Sequence, residues 1–210
     1  MTQAAADTTT KSRAIAKEQR RQQLIQATIN CVANRGFSAT TMADITSEAG
    51  LSMGIVNLHF QSKEKLLLET LEYLAEEYKG LWEKVLNKPT ASPAAKLAAL
   101  VELDFSKAVA DRKKLAVWFA FWGETRSHPA YMKTCAAYDK QYTERETELF
   151  AELIREGNYK DLDAQILTMT LDALTEGLWL DMLLALNNVD RNRAKVIVMA
   201  YLHNIFPDHF

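Results

Sequence analysis

The 210-residue chain holds 7 Gly and 4 Pro, far too few turn residues for a sandwich or barrel, so an all-α fold is expected. Its 25 basic and 27 acidic residues nearly balance, but the balance is uneven along the chain. Residues 1–65 carry a net +3 and the remainder a net −5, a basic head on an acidic body that suggests contact with phosphate.

Met1 to Lys17 is polar, small and aperiodic, and reads as a disordered basic tail. From Glu18 to Asn34, Leu24, Ile25, Thr28, Ile29 and Val32 recur at helical spacing, with Gly36 as the stop. Thr41 with Asp44 makes a capping box for a helix over Met42–Ala49, with Ala43, Ile45 and Ala49 inward. Gly50, Leu51 and Ser52 form a tight turn, and Ser52 is placed to cap a third helix from Met53 to Phe60.

A long helix follows from Lys63 to Asn87, with an apolar stripe Leu67, Leu71, Leu74, Tyr78, Leu81 and Val85. Further helices are expected at Pro93–Val109, Asp111–Arg126, Pro129–Glu156, Asp163–Leu186 and Asp190–Phe206, with Asn187 and Asn188 in a loop. That makes nine helices. The division is a tail (1–17), a three-helix segment (18–62) and a longer helical segment (63–210).

Several classes fall away. Cys31 and Cys135 match no zinc or disulfide pattern, and no apolar run approaches the ~20 residues of a membrane span. No signal-peptide core is present, so a cytoplasmic location with no membrane partner is expected. The four histidines show no metal spacing and there is no Gly-rich phosphate loop. Cys135 with His128 lacks a nameable oxyanion arrangement, so neither an enzyme nor a cofactor is expected.

Two short helices joined by a Gly-containing turn are a helix-turn-helix, whose second helix enters the major groove by its N-terminal end. Ser52, Met53, Gly54 and Asn57 suit that end. Asn57 can pair with adenine and Met53 can touch a thymine methyl. Arg20 and Arg21 on one side, and Lys63 and Lys65 on the other, supply positive charge.

The run Thr40-Thr41-Met42-x-Asp44-Ile45, then Ala49-Gly50-Leu51-Ser52-x-Gly54, then His59-Phe60-x-x-Lys63-x-x-Leu66, resembles the N-terminal signature of the TetR family. The resemblance covers about residues 18–70. It implies a ligand-responsive repressor that binds a palindromic double-stranded operator as a nine-helix homodimer and is released by a small effector. It further implies phosphate contacts from Thr40, Thr41, His59, Lys63, Arg20 and Arg21, with Lys11 and Arg13 reaching a minor groove. The sequence departs from the signature at Asn57, commonly Tyr, and at Leu58, often His or Tyr, which leaves the bases read open.

In the acidic body, Leu178–Leu186 is apolar almost all round and, with the last helix, fits an intersubunit four-helix bundle. Trp118, Phe121 and Trp122 share a helix face, and Trp179 lies on a neighbouring helix. They suit either plain core or an aromatic cage for a quaternary ammonium ligand, with Glu124, Glu176 or Asp181 as counter-charge. Residues Ala120–Glu124 through Pro129, and Asp172–Leu180, are similar to the choline-responsive branch of that family, repressors of glycine betaine synthesis. Choline is therefore the candidate effector and osmoprotectant genes the candidate targets. An apolar or acyl effector, and a helical protein-interaction module without DNA, are the alternatives.

Overall fold

A computed structural model describes residues 3–89, 91–185 and 188–210, with side chains from residue 14 onward. Its described residues form nine helices and no strand. They are α1 (Gln3–Arg35), α2 (Met42–Ala49), α3 (Met53–Phe60), α4 (Lys63–Leu86), α5 (Pro93–Asp104), α6 (Arg112–Glu124), α7 (Pro129–Glu156), α8 (Ala164–Leu184) and α9 (Arg191–Ile205). Two compact units result, Met1–Tyr73 and Leu74–Phe210, so the division falls inside α4 instead of at its start.

In the first unit α1 begins at Gln3, where a disordered tail to Lys17 was expected. The segment lacks amphipathic periodicity but is rich in Ala, Lys, Gln and Arg, and nothing before Gly36 breaks a helix. Gly36, at φ +80°, ends α1, and its amide donates to the Val32 carbonyl at 2.9 Å. The side chains of Lys11 and Arg13, and the expected α8 terminus at Leu186 with Asn187, lie outside the described residues.

The capping box at α2 is complete. Thr41 Oγ1 accepts from the Asp44 amide at 3.2 Å, and the Thr41 amide donates to Asp44 Oδ2 at 2.9 Å. Gly50 then takes φ +62°, and its amide and that of Leu51 close onto the Ser47 and Thr46 carbonyls. Ile45, Ala49, Val56 and Phe60 are buried, and Ala43, expected inward, is exposed. Ser52 precedes α3 in extended backbone, but its hydroxyl makes no capping bond.

In the second unit α7 packs along α8, α5 against α7 and α9, and α6 against α8. Leu97, Val101, Phe105, Phe150, Leu153, Leu171, Val198 and Phe206 are among the residues of its core. Pro93 and Pro129 open α5 and α7 in their first turns, the former behind a Ser92 cap. Helix α5 ends at Asp104 and not at Val109. The Asp104 carbonyl accepts from the Trp179 indole at 3.0 Å, a tertiary bond that the local sequence does not reveal.

Candidate nucleic-acid interface and effector site

Helix α3 presents one outward strip, Met53, Gly54, Asn57 and Leu58, while Val56 and Phe60 anchor the other side. Ser52, just before the helix, is exposed as well. The eight residues of α3 include no Lys, Arg, Asp or Glu, so a base contact made by this helix would not rest on Lys, Arg or a carboxylate. Positive charge flanks it. Arg20 and Lys65 are exposed, and His59 and Lys63 are half-buried beside the turn into α4. Ser62 caps α4, its hydroxyl accepting from the Lys65 amide at 3.1 Å, which orients the chain around Lys63.

Three expected phosphate ligands are otherwise engaged. Thr40 is fully buried and its hydroxyl donates to the Gly36 carbonyl at 2.7 Å, which withdraws its side chain from a phosphate role. Thr41 is exposed, but its amide and hydroxyl both serve Asp44, so a carboxylate already sits at the positive end of α2. Those two bonds hold the Asp44 carboxyl below the usual carboxylate range. Arg21 binds Glu69 Oε2 through Nε at 3.0 Å and Nη2 at 2.9 Å, and Glu18 also lies beside it. It ties α1 to the first turns of α4 and is a brace within the unit.

The second unit gathers acids and aromatics where α4, α5, α7 and α8 meet. Tyr78 Oη donates to Asp104 Oδ1 at 2.7 Å. The Tyr142 ring lies 5.1 Å from both Tyr78 and Trp82, edge-on to the first. Its hydroxyl is buried with no hydrogen-bond partner among the described residues. Glu146, one turn further along α7, is buried and shares a hydrogen bond with Asp172 of α8. Trp179 closes the group through the Asp104 carbonyl.

Burial sets the electrostatics here. It pushes the Asp104 carboxyl up to about 7, against the pull of the Tyr78 hydroxyl bond and with help from the charge of Asp172. Burial and the neighbouring acids drive Glu146 well above the carboxylate range, and burial raises Asp172, which shares the hydrogen bond, as well. A cation entering this cluster would find three carboxyls and π-faces, the chemistry that recognises an organic ammonium ion. Among the described residues no group of acids, His and Cys is arranged to hold a metal ion.

The expected aromatic cage divides differently. Phe121 is fully buried with its ring edge-on to Tyr131 at 5.3 Å, and belongs to the core. Trp118 and Trp122 are half-buried, 6.3 Å apart, and Phe119 meets Trp122 at 5.1 Å. Glu124 Oε2 lies 3.4 Å from His128 Nδ1 at the α6–α7 turn and not against Trp179. Trp179 does join the acid cluster. Glu176 is exposed one turn from Asp172, and Asp181 is half-buried further along α8. The sequence reading missed Tyr78, Trp82, Asp104, Tyr142, Glu146 and Asp172. Their signal is present as acid and aromatic residues at i, i+4 on inward faces, Tyr78/Trp82 on α4 and Tyr142/Glu146 on α7.

A capped helix-turn-helix unit followed by a helical unit with acids and aromatics gathered in its interior is the architecture of a one-component transcriptional regulator. Residues 24–70 match the bacterial regulatory proteins of the tetR family, and residues 93–207 match the BetI-type transcriptional repressor, C-terminal. The chain belongs to the TetR family and, by its C-terminal domain, to the BetI-type repressors. The HTH-type transcriptional regulator BetI of Pectobacterium carotovorum is 29% identical over 87% of this chain and 92% of its own. That of Vibrio vulnificus is 28% identical over 87% and 90%. Among solved structures, a putative transcriptional regulator from Pseudomonas aeruginosa PAO1 superposes with a TM-score of 0.79 at 28% identity, over 91% and 92% of the two chains. Another, from Saccharomonospora viridis in complex with choline, gives 0.78 at 23% identity, over 90% and 98%. The relatives are regulators, and the protein is a DNA-binding transcriptional repressor and not an enzyme.

Proposed function

We propose that this repressor binds a palindromic operator as a homodimer and is released by a quaternary ammonium effector of the choline class, in control of osmoprotectant genes. The observation that carries the reading is the acid–aromatic group of Asp104, Glu146, Asp172, Tyr78, Trp82 and Tyr142, with Glu146 and Trp82 buried and the other four half-buried. Buried carboxyls would be costly beside an acyl chain, whereas a cation offsets their desolvation. The choline complex of the Saccharomonospora relative supports the same class.

Helix α8 supports the homodimer. Ile166, Met169, Leu180 and Leu184 are all 40% exposed or more along it, and Val196 of α9 is 62% exposed. Such a stripe suits a self-complementary two-fold interface. Helix α4 supports a linkage, since Tyr78 and Trp82 belong to the effector unit and buried Leu66, Leu67 and Leu71 to the DNA-binding unit. Among the described residues no helix is long and apolar enough to cross a membrane, and a cytoplasmic site of action fits a DNA partner.

Calorimetry with choline and its uncharged carbon isostere, 3,3-dimethylbutan-1-ol, tests the effector class. Choline is expected to bind and the isostere to bind at least roughly a hundredfold more weakly, because a buried carboxylate is then left unpaired. Equal affinity for the two would overturn the cationic reading.

A further inference from the structure

We infer that Leu58, together with Met53, reads thymine methyl groups, and that this apolar pair sets the sequence preference of α3 alongside Asn57. The inference rests on α3 being the helix that enters the major groove.

Leu58 is 70% exposed and Met53 is 42% exposed, in a unit whose other large apolar side chains on α2 and α3 turn inward. Leu58 lies one turn beyond Gly54, and Met53 one turn before Asn57, so the two leucine and methionine side chains flank a strip bare at Gly54. A Cβ at Gly54 would meet only Ser52 Oγ, at 3.8 Å, so packing within the unit does not demand glycine there. A bare strip lets the helix backbone approach a base edge closely.

The major groove offers apolar surface in one place among unmodified bases, the thymine C5 methyl. With no charged side chain on α3, bidentate guanine recognition by Arg or Lys is unavailable to this helix. Asn57 supplies one polar reading, of adenine, and the apolar pair supplies the thymines of neighbouring A·T pairs. A half-site core dominated by A·T pairs follows.

The full-length protein is used to select duplexes from a random pool, and the enriched duplex is rebuilt with deoxyuridine replacing one thymine at a time. Deoxyuridine keeps every hydrogen-bonding group and loses only the methyl. A loss of roughly fourfold per half-site, the value of one buried methyl group, is expected at one or two positions. Leu58→Ala is expected to abolish the distinction between thymine and deoxyuridine at one of them, and Met53→Ala at another. Leu58 is exposed, so the variant should melt with the wild type, which circular dichroism checks. Deoxyuridine tolerated everywhere, or the same discrimination retained in Leu58→Ala, overturns the inference while leaving DNA binding intact. A pool that yields no enriched sequence overturns the assignment of α3 as well.

Discussion

Replacing Asp104 with Asn isolates the cost of a buried negative charge. The carboxyl sits at the end of α5, accepts from Tyr78 Oη at 2.7 Å, and faces Asp172 across the cluster. Its pKa moves from an ordinary 3.8 in the unfolded chain to about 7 in the folded one. Because the folded value is raised, the stability linked to this group is intact below pH 3.8 and is lost as pH climbs to about 7. Between pH 5 and pH 8 that loss is about 3 kcal/mol, taking 1.36 kcal/mol per unit. Asparagine keeps an acceptor for Tyr78 and carries no charge, so Asp104→Asn removes the loss. Urea melts at pH 5 and pH 8 should show the variant gaining about 2–3 kcal/mol on the wild type over that interval. Affinity for choline should fall at least roughly tenfold in the same variant, as the counter-charge is gone. A variant destabilised by as much at pH 8 as at pH 5 would show that Asp104 is held as a favourable ion, and the reasoning would fail.

Two other substitutions test the frame around the sites. Gly50→Ala places a side chain at φ +62° with no atom within 4 Å of the new Cβ, so the cost is purely conformational, about 1–2 kcal/mol in a thermal melt. Met169→Glu puts a charge on the exposed α8 stripe and is expected to yield monomers by light scattering at micromolar concentration, with a large loss of operator affinity. A dimer of unchanged strength would place the interface elsewhere.

Where elements are bounded by local chemistry, the sequence located them to the residue. Helix α2 has its Thr41/Asp44 box and Gly50, and α7 has Pro129 and Gly157. Where the determinant is tertiary, the reading went astray. Asp104 ends α5 and its free carbonyl is taken by an indole 75 residues away, and Thr40 is withdrawn by a hydroxyl bond to Gly36. Arg21 looked like part of a basic patch because its partner, Glu69, lies on another helix. The exposed strip of α3 was legible because one short helix carries it. The acid–aromatic cluster was not, because four helices each contribute one or two residues that look like ordinary amphipathic positions, whereas the tryptophans of α6 stand together in the sequence.

The bond from the Trp179 indole to the Asp104 carbonyl also makes the protein its own optical probe. Of the four tryptophans, Trp82 packs on Tyr142 and Trp179 bonds the Asp104 carbonyl, whereas Trp118 and Trp122 lie together on α6. Indole emission depends on nearby charge and hydrogen bonding. A ligand bound as proposed, or a proton at Asp104, would therefore change the light from one pair while the other serves as an internal reference. Occupancy of the cluster would then be readable without a label attached to the protein.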